Sequence, residues 1–247
     1  MRFRADWIQL TGLKASNTAS SLGRLRLLNF VSVATKPEEL PAMNFDLHLH
    51  TSRHSLDSIM APELMVQRAR AIGLDGVVIT EHDWLWTEEE LAQLRQSAPG
   101  VIVLAGIEVS ARQGHFLAYG VSNPFAVPHG IGVAELCREV HRQGGAIVAA
   151  HPYRWNQPFD GILERERPNL DGLELMSNNM DAETRRRAAA LNERVRLAGL
   201  GNSDAHRVET LGCCYTEFDG GIRDLADLVE AIRGRKTTPV ERVAAVA

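Results

Sequence analysis

The chain has 247 residues, a length that suits two small domains or one large one, including a single barrel. Hydrophobic residues make up 45% and charged residues 23%, as in a soluble globular protein with a full core. No apolar run approaches the roughly 18 residues that a membrane span needs, and a net charge of -4 argues against a dedicated nucleic-acid surface but not against a small nucleotide.

Residues 1–42 differ in composition from the rest of the chain. Basic residues outnumber acidic ones there, and Asn17 to Ser21 is small and polar. Arg-rich N-termini can be transit peptides, but no apolar region with a cleavage site is visible, so secretion is not predicted. Pro37 and Pro41 mark a linker. Two interpretations stay open: an extension upstream of a true start at Met43, or an arm that packs on the domain.

From Phe45 onward, strand-like and helix-like segments alternate. Short apolar runs such as Gly76 to Thr80 are typical of strands buried on both faces. The predicted strands are 45–48, 76–80, 101–107, 115–119, 146–150, 173–176 and 200–202, and the predicted helices are 62–72, 87–96, 131–143, 181–198 and 222–233. About seven strand-helix units favour a barrel with a parallel sheet, whose functional groups lie at the carboxyl ends of the strands.

The first predicted strand ends in an H-x-H pair, His48 and His50. Because side chains alternate along a strand, both imidazoles should point to one side, with Leu47 and Leu49 on the other. Imidazole suits zinc, iron, nickel and copper, and Asp57 would add an oxygen ligand that also suits manganese. The pair alone is as often a polar strand end as a metal site.

Metal-competent side chains recur at six strand ends. Beyond the H-x-H pair they are Glu81, His82 and Asp83, then Glu108, His115 and His151, and finally Asp204 and His206. One histidine beside an apolar run is usually a core or loop residue, but its recurrence at nearly every strand end predicts a clustered site. His129, in a Pro-Gly loop, and His141, on a charged helix, fall outside this pattern and are predicted to be surface residues.

Seven motifs between Asn44 and Thr216 resemble, in order, those of the polymerase and histidinol phosphatase (PHP) superfamily: D-L-H-L-H-T, S-L-D-S, I-T-E-H-D, G-I-E-V-S, G-H-F-L, A-H-P-Y-R and N-S-D-A-H. The resemblance implies a distorted (β/α)7 barrel, a single α/β domain over residues 43–247 behind the extension 1–42. It also implies two or three divalent ions of zinc, manganese or iron. Carried over by position, the implied ligands are His48, His50, Asp57, His82, Glu108, His115, His151, Asp204 and His206, with Glu108 where family members bridge two metals.

The chain departs from the family pattern in two places. His54 and Asp57 both lie near the first motif, and the S-L-D-S spacing favours Asp57 as the ligand, with His54 lining the pocket mouth. Glu81 stands where aspartate is more usual, and its longer side chain would shift a hydrogen bond that orients a ligand. Neither change removes the predicted site.

The predicted activity is phosphoester hydrolysis by a metal-bridged hydroxide, because two metals bring the pKa of a shared water toward neutrality. Arg154 is the first candidate for a further phosphate contact, ahead of Arg53 and Arg207. Asp83 or His54 would protonate the leaving alkoxide. For Asp83, a role in orienting a ligand or capping a helix is equally open.

Further polar and aromatic residues lie near the predicted site. Glu174 and Asn178, at another strand end, would touch substrate or brace the ligands. Trp84 and Trp86 follow the third motif, where aromatics stack on a base or sugar or, more commonly, cover a hydrophobic barrel rim.

Two other functions were weighed against a phosphoesterase. Metal-dependent amidohydrolases also begin with H-x-H, but they typically add a carbamylated lysine, and Lys14, Lys36 and Lys236 stand at no suitable strand end. A non-catalytic metal-binding scaffold would be expected to have lost ligands. The acidic balance argues against extended nucleic acid as the substrate, leaving a small phosphorylated molecule or a short oligonucleotide.

The cysteines bear on the cellular setting. Cys137, Cys213 and Cys214 include no C-x-x-C pair, so neither a disulfide framework nor a cysteine zinc site is expected. A reducing, cytoplasmic setting is therefore predicted, and the lack of a long apolar run predicts no membrane partner.

Overall fold

A computed structural model describes residues 41–97 and 99–242 of the chain. Both interpretations of the predicted extension fall almost wholly outside these residues and stay predictions, as does the domain boundary at Met43. The strands are β1 (Met43–Asp46), β2 (Gly76–His82), β3 (Ile102–Ala111), β4 (Gly114–Tyr119), β5 (Ala146–Ala149), β6 (Gly172–Met176), β7 (Ala198–Gly201), β8 (Cys214–Phe218) and β9 (Thr237–Glu241). The α-helices are α1 (Pro62–Ala71), α2 (Glu88–Arg95), α3 (Val133–Arg142), α4 (Phe159–Glu166), α5 (Ala182–Val195) and α6 (Leu225–Arg233).

All nine described strands belong to one sheet, in the order β7-β6-β5-β4-β3-β2-β1-β8-β9. The pairs β1–β2, β2–β3, β5–β6 and β6–β7 are parallel, whereas β4 runs antiparallel to both neighbours and β8 to both of its own. The prediction of a parallel sheet is therefore wrong for β4 and β8. Only Arg112 and Gln113 separate β3 from β4, and a connection that short makes a hairpin and not a parallel crossover.

The sheet curls until its ends nearly meet. The buried Thr216 hydroxyl, on β8, donates to the Gly201 carbonyl at 2.9 Å and accepts from the Gly201 amide at 3.1 Å. A Cβ at Gly201 would lie 2.8 Å from the Tyr215 carbonyl oxygen, so only glycine allows this approach. The predicted distorted α/β barrel is confirmed. Across the gap, a side chain of β8, the strand next to the terminal strand β9, bonds the other terminal strand, β7.

Most predicted helices and strands agree with the structure to within a few residues. The helix predicted over 181–198 ends earlier, because Arg196 adopts a left-handed conformation (φ 55°) and β7 begins at Ala198. Helix α4 and strands β8 and β9 were not predicted. The signal for β8 is weak because its alternation is blurred: polar Thr216 is buried, and aromatic Tyr215 is partly exposed.

Apolar side chains form the interior of the barrel and two further clusters. Leu47 packs with Val78 and Val148 in one cluster, while Leu49 packs with Met65 in another. The two leucines of the H-x-H segment therefore anchor the chain in separate cores and fix the histidines between them. No helix in the described part of the chain has the length and apolarity to cross a membrane.

Candidate metal centre

The strand ends bring the predicted ligands to one end of the barrel. His48 and His50 follow β1, His82 ends β2, His151 follows β5, and Asp204 and His206 follow β7. Strand β4 runs the other way, so it contributes His115 from its beginning and not from its end. The hairpin thus explains why one ligand precedes an apolar run while the others follow one.

Glu108 lies at the centre of this cluster and is 1% exposed. Its Oε2 atom lies 3.3 Å from His48 Nε2, 3.2 Å from His50 Nε2 and 3.0 Å from His82 Nδ1. Its Oε1 atom lies 2.9 Å from His115 Nδ1 and 3.2 Å from His151 Nε2. The two oxygens therefore face two sets of histidines, the arrangement that a bridging carboxylate requires.

Asp204 forms the opposite wall of the cluster. Its Oδ1 atom is 3.3 Å from the Nε2 atoms of both His48 and His50, and its Oδ2 atom is 3.8 Å from His151 Nε2. Asp57 contributes from the rim, since its Oδ2 atom lies 3.2 Å from both His82 Nε2 and His206 Nε2. All nine predicted ligands are thus brought together, and their role as ligands stays a prediction.

The donor atoms fit divalent cations. His48 Nε2, His50 Nε2 and Glu108 Oε2 are buried without a hydrogen-bond partner, a costly state unless another group, such as an ion, satisfies them. Two ligands on one tetrahedral zinc ion lie about 3.3 Å apart, close to the distances around Glu108. Four sets of three residues could each hold an ion, because the donor atoms within each set lie within 4.8 Å of one another. The sets are His50, His82 and His206; His48, His151 and Asp204; His48, His50 and Glu108; and His82, Glu108 and His115.

The electrostatics of the cluster also favour positive charge. Burial by itself lowers the pKa of His50, but the neighbouring Asp204 and Glu108 carboxylates, 3.3 and 3.2 Å away, outweigh it and raise that pKa to about 9. The pKa of His48 is likewise raised against burial, chiefly by Asp204 and Glu108. The carboxylates therefore hold a cationic charge among these rings, and a bound divalent ion meets the same demand.

Glu174 orients His48 from behind. This fully buried carboxylate places Oε1 2.9 Å from His48 Nδ1, accepts the His151 amide at 2.6 Å, and accepts from Asn202 Nδ2 at 2.8 Å. With Nδ1 committed to Glu174, the Nε2 atom of His48 is left facing the site, as in many metal-ligating histidines. Of its two predicted roles, the geometry assigns Glu174 to bracing the ligands.

Glu81 braces the loop of the first motif. Its buried carboxylate accepts from the Thr51 amide at 3.0 Å, Ser55 Oγ at 2.5 Å and Trp86 Nε1 at 2.9 Å. Ser55 Oγ in turn lies 3.3 Å from His50 Nδ1. The longer glutamate side chain therefore reaches His50 through a serine hydroxyl. Trp86 is largely buried as part of this brace and is not free to stack on a substrate.

The predicted catalytic residues are placed differently from one another. His54 Nε2 lies 3.0 Å from Glu90 Oε1, and its ring stacks on Trp84 at 5.1 Å, so it faces α2 and does not line the cavity at the ligands. Asp83 accepts the Ser110 amide at 2.8 Å and pairs with exposed His129 at 2.9 Å. Both Asp83 oxygens are thus engaged, which supports a bracing role, and its catalytic role and that of His54 stay predictions.

Arg154 lines the site. Its Nη1 atom lies 3.3 Å from Asp204 Oδ2, and it borders two adjoining cavities, of about 110 Å³ over the ligands and about 340 Å³ beside them. Arg207 and Asn178 line only the second cavity, while Arg53 pairs with Glu90 at 2.8 Å.

A larger cavity of about 800 Å³ lies beside α6, and none of the nine predicted ligands lines it. His141 is apart from the site and pairs with Asp171.

Two contributors near the site were not predicted from the sequence. Asn179 Nδ2 donates to Asp204 Oδ2 at 2.5 Å, and Trp155 lines the cavity over the ligands. Asn179 lies in the S-N-N run after β6, where its neighbour Asn178 was considered. Trp155 follows Arg154 directly, yet nothing in the sequence pattern separates it from a surface tryptophan.

A nearly closed α/β barrel with clustered histidines and carboxylates at one end is an arrangement that metal-dependent hydrolases use. The family model described as PHP domain matches residues 46–194, and a second model, PHP-associated, matches residues 182–237. The chain therefore belongs to the PHP family, as the motifs predicted.

Solved structures share the fold at low sequence identity. One is a two-domain protein from Bacteroides vulgatus that contains a predicted PHP-like metal-dependent phosphoesterase, with a TM-score of 0.64 and 22% identity over 84% of this chain and 69% of that one. Another is an amidohydrolase from Chromobacterium violaceum, with a TM-score of 0.56 and 18% identity over 82% of this chain and 99% of that one. At such identities the likeness concerns the fold alone.

A curated relative is the error-prone DNA polymerase of Cutibacterium acnes, 33% identical over 75 residues. The match covers 30% of this chain and 6% of the polymerase. It therefore concerns one segment of a much longer protein.

Proposed function

We propose that this chain hydrolyses a phosphoester, the phosphomonoester of a small metabolite or a nucleotide, with two or three divalent metal ions. The observation that supports this most directly is Glu108, whose two oxygens face different histidine sets across the cluster. A mixed imidazole and carboxylate set accepts zinc, manganese or iron. A phosphodiester such as a short oligonucleotide is the proposed wider range, and the net charge of -4 argues against extended nucleic acid.

The residues that would hold the ions are the nine clustered ligands. When bound, divalent ions bring a water molecule toward the hydroxide form at neutral pH and offset the negative charge of the phosphate. The chain itself supplies the orientation: Glu174 fixes the His48 ring and Ser55 contacts the His50 ring. These contacts hold the ligands in place before substrate binds, which limits the cost of assembling the site.

Arg154 is the proposed phosphate contact from the protein. Its side chain is 26% exposed and lines both the ligand cavity and the neighbouring cavity. Charge-assisted hydrogen bonds from arginine to phosphate oxygens are strong and directional. The arginine would therefore orient the phosphoryl group, and Asp204, its present partner, is one of the residues that would hold an ion.

Protonation of the leaving group is not assigned to a residue of the chain. Asp83 would first have to release Ser110 and His129, and His54 would have to release Glu90. A general acid must lie within hydrogen-bond reach of the leaving oxygen, directly or through one water. Neither residue lines the ligand cavity, which disfavours both.

The amidohydrolase alternative receives no support from the ligand set. Lys236 is the one lysine within the described residues, and it lies between α6 and β9, away from the clustered ligands. The described part of the barrel thus has no lysine that could serve as a carbamylated ligand. The scaffold alternative predicts full metal occupancy without turnover of any phosphoester, which the following experiment measures.

The test combines metal analysis of the purified protein with a panel of phosphomonoesters and phosphodiesters. His48→Ala and Asp204→Ala should lose bound metal and at least about a hundredfold in kcat/KM, since each removes a central donor. His141→Gln alters a histidine outside the site and should match the parent. The proposal is wrong if the two central variants bind metal and hydrolyse as well as the parent, and hydrolysis of amides alone would favour the amidohydrolase.

A further inference from the structure

Trp155 is an exposed aromatic ring at the mouth of the ligand cavity. Its side chain is 72% exposed, and its ring centroid lies 5.9 Å from that of His115 and 6.1 Å from that of His151. The other residues lining this cavity are histidines, carboxylates and Arg154. The indole is therefore the one broad apolar surface on a cavity wall that is otherwise charged or polar.

The backbone holds this ring outward at an energetic cost. Trp155 has φ 54° and ψ 33°, and both Tyr153 (φ 70°) and Asn156 (φ 58°) are also left-handed. This conformation is unfavourable for residues other than glycine, and such strain persists where the surroundings enforce it. Here Tyr153 is 2% exposed and bonds Asp160 at 2.9 Å, while the Gln157 side chain donates to the Gln113 carbonyl.

Arg154 connects this ring to the proposed phosphate position. Its guanidinium carbon lies 4.2 Å from the centre of the Trp155 ring, a cation–π contact. The same side chain reaches Asp204 at 3.3 Å. A positive group for a phosphate and a flat apolar surface are thus adjacent on one short turn, which matches a ligand with a phosphate and a planar ring.

We propose that Trp155 is a stacking surface that selects phosphoesters whose alcohol carries a planar aromatic ring, as a nucleoside does. This inference rests on the proposed phosphoesterase function and narrows its substrate class. Stacking needs only an exposed aromatic face and accepts any planar ring. It would therefore favour nucleotides over aliphatic phosphates without excluding the aliphatic ones.

The neighbouring cavity is the other place where the alcohol part of the substrate could bind. It is polar, with Asn178, Arg207 and Thr210 on its wall, and it suits an alcohol that carries hydroxyls or a second anion. Trp84 provides a matched aromatic control: it is 50% exposed, but it stacks on His54 and does not line the ligand cavity.

The experiment compares a nucleoside 5′-monophosphate with glycerol phosphate on the metal-loaded full chain. Trp155→Ala should raise KM for the nucleotide by about five- to a hundredfold more than it raises KM for glycerol phosphate, the range found for base–aromatic stacking. Trp155→Phe should retain most of the preference, and Trp84→Ala should retain all of it. Turnover of glycerol phosphate shows in each case that the variant is folded and active.

Three outcomes would overturn the inference. Trp155→Ala could raise KM equally for both substrates, or for neither substrate. Alternatively, Arg207→Ala and not Trp155→Ala could raise KM for the nucleotide alone. The last places the alcohol in the polar cavity. If the parent turns over no phosphoester, the proposed function fails separately, and calorimetric binding decides the inference. The nucleotide should then bind the parent more tightly than inorganic phosphate does, with that advantage lost in Trp155→Ala.

Discussion

Glu108 shows how much a single residue decides in this protein. Burial raises its pKa, but His48, His115 and His151 outweigh burial and hold the pKa well below the ordinary range. The carboxylate is therefore charged, buried and surrounded by nitrogen atoms. A buried negative charge is stable only when positive charges or a bound cation lie beside it. The Glu108 carboxylate therefore needs the surrounding histidines or a metal ion.

Asp57 and His54 contact different parts of the structure, so their substitutions should have different effects on metal binding. Asp57 lies 3.2 Å from His82 and His206, whereas His54 faces Glu90. Asp57→Asn should therefore weaken metal binding by at least about tenfold, because a carboxylate donor is replaced by a neutral amide. His54→Ala should leave the metal content unchanged. Metal titration of both variants checks this, and an equal loss in both would show that His54 also acts as a ligand.

Glu174 gives a second prediction at this scale. Glu174→Gln keeps the shape but removes the negative charge that faces His48 Nδ1 at 2.9 Å. Loss of such an orienting partner typically costs about 10- to 100-fold in metal affinity or activity. Competition with a chelator measures the affinity, and exposed Glu164→Gln is the control. Affinity equal to that of the parent would show that Glu174 only fills space.

At the scale of elements, a threonine on β8 bonds the terminal strand β7 where the two ends of the sheet approach each other. Thr216→Val keeps the volume but leaves the buried Gly201 amide and carbonyl without their hydroxyl partner. An unmet buried polar group costs about 1–3 kcal/mol, so the free energy of unfolding should fall by that amount. Urea unfolding measures it. Thr238→Val, exposed on β9, should change it by less than about 0.5 kcal/mol.

The loop of the first motif is attached to the start of α2 by Glu90. Burial alone would raise the pKa of Glu90, but hydrogen bonds from the Thr87 amide, Arg53 and His54 lower it from 4.5 to about 2. A lowered pKa means that this stabilisation is complete above the unfolded value and is lost as the pH falls through the folded one. It should therefore disappear between pH 4.5 and about 2.

Glu90→Gln tests this contribution. Without the carboxylate, the free energy of unfolding of the metal-free protein should depend less on pH across that interval than in the parent. Denaturant unfolding at several acid pH values measures the slope, with exposed Glu89→Gln as the control. Identical slopes in the parent and Glu90→Gln would remove Glu90 from the acid stability of the fold.

At the scale of the whole molecule, metal binding and folding should be coupled. The ligands come from segments between His48 and His206, so the ions would join most of the described sheet. A ligand at a thousand times its Kd stabilises the native state by about 4 kcal/mol. A chelator should therefore lower the Tm by several degrees, and added metal should restore it. Calorimetry measures the shift, which should nearly vanish in His48→Ala; an unchanged parent Tm contradicts the coupling.

The sequence by itself determined the barrel and the types of residue at the strand ends. Apolar runs that alternate with amphipathic segments dictate strands and helices, and strand ends that carry His48, His82 or His151 have to converge at one rim. Local pattern sufficed because periodicity and chain order are properties of the sequence. The antiparallel β4 was missed because the pattern of apolar residues is the same in either strand direction.

Only the tertiary structure decided which side chains face one another. Glu174 meets His48 across 126 positions of the chain, and Thr216 joins β8 to β7 through a bond that no local pattern encodes. The outward direction of Trp155 depends on a left-handed turn held by buried Tyr153. Such contacts arise from the packing of distant segments, and packing is a property of the folded chain and not of any stretch of its sequence.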